Sequence, residues 1–210
     1  MRKFIATFLY VTIIGFCACK DKKKGTEKFI FTEPATSVVT EDPAKDSAVI
    51  RKLITDFYNW YNKNYSTFQA YNLYSSIKKK DLPPYKINWD QVAKYQDYIR
   101  TSVPQLGQEF ISNQKRFFQQ CDSAFKANVE DDMPYGFDYD WYTNSQEDPK
   151  YLVDEINKPT TWLITRSGDY ATVEVKGEFD NNGKKELTAV LLLTMKKENG
   201  QWTIAKIGTE

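Results

Sequence analysis

The chain has 210 residues, with 29 Lys and Arg against 28 Asp and Glu for a net charge of +1, no histidine and three cysteines. The missing histidine excludes Ser-His-Asp and Cys-His nucleophile pairs, an imidazole proton shuttle and histidine-ligated zinc or haem, while the near-zero net charge argues against a nucleic-acid partner. With 41% hydrophobic and 15% aromatic residues, the chain has the apolar mass for one core, and its length fits one domain with appendages.

At the N-terminus, Arg2 and Lys3 precede a nearly unbroken apolar run, Phe4 to Phe16. About a dozen residues is the length of a secretory h-region and short of the roughly 20 that span a bilayer as a helix. The run ends in Phe16-Cys17-Ala18-Cys19, followed at once by Lys20-Asp21-Lys22-Lys23-Lys24. A small residue directly before a cysteine at the end of an h-region resembles the lipobox of bacterial lipoproteins. The resemblance implies that residues 1–18 are a signal peptide and that Cys19 becomes the acylated, palmitate-bearing first residue of the mature chain. A plain cleaved signal with an incidental cysteine and an uncleaved anchor are the alternatives. Several acyl chains, at about 0.8 kcal/mol per buried CH₂, hold a protein on a membrane durably. The expected address is therefore the bacterial cell envelope, lipid-anchored, at an outer membrane facing the periplasm or the cell surface. Losing Arg2 and Lys3 with the signal moves the net charge from +1 to −1.

Residues 19–46 are rich in Lys, Asp, Thr, Glu and Pro without a sustained period, and read as a flexible tether. The folded domain is expected over 47–210. From Ser47 to Tyr65, Ile50, Leu53, Ile54, Phe57, Tyr58 and Tyr61 recur at spacings of three and four, one stripe of an amphipathic helix capped by Asp46 or Ser47. A shorter helix is predicted over Trp89–Arg100. A third is predicted to open at Pro104 and to run through Leu106, Phe110, Ile111, Phe117, Phe118, Cys121 and Phe125.

After Lys158 the period becomes that of strands. Thr161–Arg166 is β-rich, and Ala171, Val173, Val175, Gly177 and Phe179 alternate with polar residues. Asn181-Asn182-Gly183 supplies a hairpin turn, Leu187–Met195 reads as a central strand, and Asn199-Gly200 turns into a last strand over Trp202–Ile207. Helices followed by an antiparallel meander predict an α+β fold, with N-terminal helices packed on a curved sheet.

The ending Lys196-Lys197-Glu198-Asn199-Gly200-Gln201-Trp202-Thr203-Ile204 resembles the closing hairpin of the cystatin-like, nuclear-transport-factor-2-like cone folds. Phe57-Tyr58-Asn59-Trp60-Tyr61, Gly136-Phe137-Asp138-Tyr139-Asp140 and Asn144-Ser145-Gln146-Glu147-Asp148-Pro149 are similar to domain-of-unknown-function family 3828, over Val49 to Ile207. That family occurs largely in bacterial exported proteins and lipoproteins. The resemblance implies a fold and a compartment, and no reaction.

The acidic-aromatic stretch Asp131–Pro149 is the best site candidate, a long loop at the rim of such a cone. Its candidate ligand-binding residues are Tyr135, Asp138, Tyr139, Asp140, Asn144, Gln146 and Asp148, joined by Trp60 and Tyr61 from the first helix. Helical spacing favours packing for Tyr58 and Tyr61 and leaves Trp60 partly exposed. Calcium accepts such oxygen ligands, but the spacing fails the EF-hand pattern: Tyr142 stands where a third ligand is wanted, and the turn glycine is missing. Asx turns that shape the loop are the simpler reading, with no metal and no cofactor. For Cys121, in line with Phe117, Phe118 and Phe125, the expectation is a buried structural thiol.

The expected function is a non-catalytic module that binds an envelope protein or a small molecule such as a glycan or peptide. An immunity-like or inhibitor-like role is one form of it. The alternative is a small pocket enzyme with an aspartate base and tyrosine donors, for which Asp138 with Tyr61 or Tyr135 is the natural pair.

Overall fold

The computed structural model describes residues 43–78, 82–130, 132–158 and 161–208. The signal segment, Cys19 and the tether as far as residue 42 lie outside the described residues. In chain order the elements are α1 (Pro43–Gln69), β1 (Tyr74–Ser76), β2 (Tyr85–Ile87), α2 (Trp89–Ser102), α3 (Gln108–Ala127), α4 (Pro149–Asn157), β3 (Thr161–Ser167), β4 (Tyr170–Asn181), β5 (Lys184–Glu198) and β6 (Gln201–Ile207). The fold is α+β with antiparallel sheets. No helix among the described residues is long and apolar enough to cross a membrane.

Helix α1 is 27 residues long and carries the predicted stripe. Ile50, Ile54, Phe57, Tyr58, Tyr61 and Phe68 are all buried, as one face of a 3.6-residue period requires. The helix begins before Asp46 and Ser47, so neither caps it. Asp46 instead sits in the first turn, where its carboxylate meets the Arg166 guanidinium of β3 at 2.9 Å. Arg166 also lies over the ring of Trp202 on β6, which joins the start of α1 to the sheet.

The main sheet has the order β3-β4-β5-β6, every neighbour antiparallel. The register aligns Ile164, Val173, Leu193 and Ile207 across all four strands, and beside them Arg166, Ala171, Met195 and Ile204. Side-chain alternation places these rows on one face, and Val173, Leu193, Ala171, Met195 and Ile204 are buried there. Both Asn-Gly turns form as read: Asn182 and Gly183 have φ of 56° and 82°, and Asn199 and Gly200 of 52° and 78°. The two positive φ angles in succession match the twist of the flanking strands. Pairing slips between Val175 and Lys176 and again between Thr194 and Met195, bulges of the kind that bend a sheet.

Helix α3 starts at Gln108 rather than at Pro104, and the reason is an edge strand. Residues 105–107 run along β6 instead of coiling: Ile204 N–H donates to the Gln105 carbonyl at 2.8 Å, and Gly107 N–H to the Ile204 carbonyl at 3.0 Å. The outer edge of β6 is thereby paired at Ile204. Gly107 flanks the helix with no side chain to cap it, and Glu198 does that work from the β5–β6 hairpin. Its two carboxylate oxygens accept from Gln108 N–H at 3.0 Å and Glu109 N–H at 3.2 Å.

Two elements go beyond the sequence expectations. The short β1–β2 pair aligns Tyr74 with Ile87 and Ser76 with Tyr85. Helix α4 is capped by Asp148, whose Oδ1 accepts from Lys150 N–H at 2.8 Å, with Pro149 in the first turn.

Gly107 leaves no room for a side chain, since a Cβ there would stand 2.3 Å from Thr203 Oγ1 and 2.9 Å from Thr203 Cβ. Replacement by alanine has to push α3 off β6. Gly107→Ala is expected to lower the unfolding free energy by about 1–3 kcal/mol in urea denaturation; a change within about 0.5 kcal/mol, the ordinary surface value, would contradict this edge contact.

Candidate functional site

The loop between α3 and α4 is held by its own aromatic residues. Gly136 takes a φ of +79°, and a Cβ there would lie 2.5 Å from the Phe117 ring. Its carbonyl accepts the Trp141 indole N–H at 2.6 Å. Phe137 lies 4.5 Å from the Tyr74 ring and stacks on Phe125 at 6.1 Å, so the loop is packed on α3 and the β1–β2 pair. A tight reversal follows, in which Asp140 and Ser145 exchange backbone hydrogen bonds and Asn144 adopts a φ of 52°. That conformation is one asparagine tolerates better than most residues.

This reversal drives Tyr142 into the core. Its ring lies 4.8 Å from Tyr61, 4.9 Å from Phe68 and 5.7 Å from Phe110, and only 2% of the residue is exposed. Each of its polar groups finds a partner. The Tyr142 N–H donates to Asp140 Oδ1 at 2.8 Å, its carbonyl accepts the Tyr58 hydroxyl at 2.7 Å, and its own hydroxyl meets that of Tyr95 at 2.5 Å. Gln114 Nε2 donates to both of those hydroxyls, at 3.3 Å and 3.4 Å. The second oxygen of Asp140 accepts the Tyr61 hydroxyl at 2.8 Å.

The electrostatics follow from burial. Burial first, and then the charge of Asp140, pushes the Tyr58 and Tyr61 hydroxyls above the ordinary phenol range, and burial does the same to Tyr95 and Tyr142. These tyrosines stay protonated near neutrality and act as donors. Burial also raises the Asp140 carboxyl above its usual value, against the opposing pull of the Tyr142 amide and the Tyr61 hydroxyl. Cys121 is buried, and its thiol is pushed up to about 12, so it is an inert core residue near neutral pH.

Two cavities flank the loop. The first has a volume of about 530 Å³ and is walled by Tyr61, Phe68, Tyr71, Tyr74, Tyr139 and Asp140, with Asn72, Ser75 and Ser76 along one side. The second, of about 610 Å³, lies between α3, the end of β6 and the turn at Asn144. Tyr139 and Trp141 line both.

The residues singled out from the sequence divide accordingly. Tyr61, Tyr139 and Asp140 come together at the first cavity, and Asn144 lines the second. Trp60 is half-buried, edge-on to Phe68 at 5.8 Å, and lines neither. Tyr135, Asp138, Gln146 and Asp148 are exposed and line neither, with Asp148 engaged as the α4 cap. The carboxylate partnered by Tyr61 is Asp140, two residues beyond the Asp138 expected for that pair. Among the described residues no three acidic or cysteine side chains gather as metal ligands.

Tyr95, Gln114 and Tyr142 complete the site without being among its candidate ligand-binding residues. Gln114 had a signal, as a polar residue on the apolar stripe formed by Phe110, Ile111, Phe118 and Cys121. Comparison with protein-family models, with curated proteins and with solved structures finds no match to this chain.

Because the Asp140 carboxyl is raised on folding, the native state holds its proton where the unfolded chain has lost it. Stability from this group therefore falls as pH rises from the ordinary value of 3.8 up through the raised one. Asp140→Asn keeps an acceptor for the Tyr142 amide and removes the titration. Denaturation at a series of pH values should show wild type losing stability relative to Asp140→Asn across that interval; parallel profiles would contradict the buried, raised carboxyl.

Proposed function

We propose that this chain is a membrane-anchored bacterial lipoprotein whose α+β domain is a non-catalytic, nuclear-transport-factor-2-like binding module of the cell envelope, related to domain-of-unknown-function family 3828. The observation that carries the binding reading is the first cavity. Its volume of about 530 Å³ falls in the range of small-molecule sites, roughly 300–1,000 Å³, and its lining mixes the rings of Tyr71, Tyr74 and Tyr139 with the polar groups of Gln69, Asn72, Ser75, Ser76 and Asp140. Tyrosine faces bind planar or ring-shaped ligands by stacking, and the Asn72 amide orients them, since the Ser75 hydroxyl donates to Asn88 Oδ1 at 3.0 Å and Ser76 Oγ accepts the Leu82 N–H at 3.1 Å. A recessed site of this size suits a glycan or a short peptide better than an occluded toxin. The bends at Val175 and Thr194 and the packing of α1 on β6 support the cone-like architecture.

A catalytic second reading rests on Asp140, a carboxylate of raised pKa in the cavity wall beside a tyrosine donor. Both of its oxygens already accept hydrogen bonds, from Tyr61 and from the Tyr142 amide. Its role is thereby to hold the wall, which favours binding over proton abstraction.

Two measurements test the reading. Palmitate labelling in cells should mark wild type and fail for Cys19→Ala, which should also leave the membrane fraction; a membrane-bound, unlabelled Cys19→Ala would contradict the lipid anchor. Native mass spectrometry of the full chain, extracted in detergent from its own envelope, should find a small molecule retained. Tyr71→Ala should weaken retention by about tenfold, the value of one lost aromatic contact of about 1.4 kcal/mol. A bare protein, or retention unaffected by Tyr71→Ala, would contradict the first cavity as the site.

A further inference from the structure

A carboxylate stands among aromatic rings in the wall of the first cavity. Tyr71, Tyr74, Phe137, Tyr139 and Trp141 line it and keep part of their surface open, and Asp140 beside them is half-buried rather than sealed. The rings are held before any ligand arrives. Tyr74 lies 4.5 Å from Phe137, Tyr71 lies 5.3 Å from Tyr95, and the Trp141 indole donates to the Gly136 carbonyl at 2.6 Å. The donors that the structure gives Asp140 are neutral: the Tyr61 hydroxyl at 2.8 Å, the Tyr142 amide at 2.8 Å and the Thr143 amide. Hydrogen bonds from neutral groups orient a carboxylate and favour its ionised form, and they leave its charge in place. The faces of the rings carry negative potential as well. Carboxylate and rings therefore select the same kind of guest, a cation with an apolar surface.

We infer that the first cavity takes a quaternary ammonium group, with its methyl surface against Tyr71, Tyr139 and Trp141 and its charge facing Asp140. This rests on the small-molecule reading of the cavity and names the group by which the ligand is held. Aromatic rings attract such cations through their quadrupoles, most strongly where water is excluded. A primary ammonium is the nearest rival. It brings three N–H donors that each want an acceptor, whereas both Asp140 oxygens already accept from the protein. A quaternary ammonium has no donor to satisfy, so a carboxylate that offers charge without open acceptor positions suits it better. The volume of about 530 Å³ exceeds what one such group fills and leaves the rest for the molecule that carries it.

The test titrates the full chain by isothermal calorimetry at low ionic strength, where charge contacts are least screened. The protein is held in a maltoside detergent, whose head group carries no ammonium, and is dialysed exhaustively beforehand. The probes are choline, its neutral carbon analogue in which a tert-butyl group replaces trimethylammonium, and the primary amine ethanolamine. Choline should bind saturably, with the carbon analogue and ethanolamine each about tenfold weaker or more. Asp140→Asn keeps an acceptor for the Tyr142 amide and removes the charge. It should cost choline about tenfold and leave the carbon analogue within about twofold. Tyr139 is 36% exposed, so its replacement does not open the core, and Tyr139→Leu serves as the second variant. It keeps apolar contact, removes the ring face and should weaken choline about threefold or more with the carbon analogue unchanged. Equal binding of choline and its carbon analogue, tighter binding of ethanolamine, or a choline affinity unchanged in a folded Asp140→Asn or in Tyr139→Leu would overturn the cation inference and leave the cavity a small-molecule site. Failure of every probe to bind saturably would overturn it too, and the small-molecule reading then stands or falls separately on the native mass spectrum.

Discussion

The domain turns on the requirement that a tyrosine pushed into an aromatic core bring its backbone and hydroxyl with it and satisfy every polar atom there. Tyr142 does this through Asp140 on one side, Tyr58 on another and Tyr95 with Gln114 beneath. An unpaired buried amide or hydroxyl costs more than a made hydrogen bond returns, so these partners are mutually dependent. Asp140 is the pivot, because one oxygen fixes the turn that buries Tyr142 and the other fixes Tyr61 on α1. A loop that would otherwise be peripheral is thereby made part of the core, and its Tyr139 and Trp141 are held in place as cavity walls.

That arrangement explains why the two cavities are neighbours. Tyr139 and Trp141 project from the same short segment, fixed at one end by the Trp141 bond to Gly136 and at the other by Asp140. Their chemistry differs because their other walls differ. The first is closed by tyrosines and small polar residues around one carboxylate, the second by α3 and β6 with Glu109, Arg116 and Lys206 at its wall. Gln114, at the second cavity, donates to the Tyr95–Tyr142 pair at the first, and these three side chains form the partition.

Much of this architecture was legible in the sequence, for identifiable physical reasons. The α1 stripe and the two Asn-Gly hairpins are local signals, set by helical period and by residues that accept a positive φ. The start of α3 is not legible locally, because Pro104 is a good helix opener, whereas the pairing of residues 105–107 with β6 that moves the start to Gln108 is a long-range contact. Asp148 carries two local readings, an oxygen ligand and, with Pro149, the capping signature that α4 uses. The β1–β2 pair spans three residues a side, too short for alternation to register. At the site, the long acidic-aromatic loop is legible, but that Asp140 rather than Asp138 meets Tyr61, and that Tyr142 is buried, depend on contacts to α1 across 79 and 84 positions. No periodicity reports such a convergence.

The most direct test of the binding reading is a high-resolution crystal structure of the full chain purified from its own cells without exposure to added sugars or peptides. Continuous organic density against Tyr71 and Tyr139, with the Tyr61–Asp140 hydrogen bond intact behind it, is the predicted result. A first cavity filled by ordered water alone, in protein that has never been separated from its native ligands by denaturation, would contradict the assignment of this domain as a small-molecule binding module.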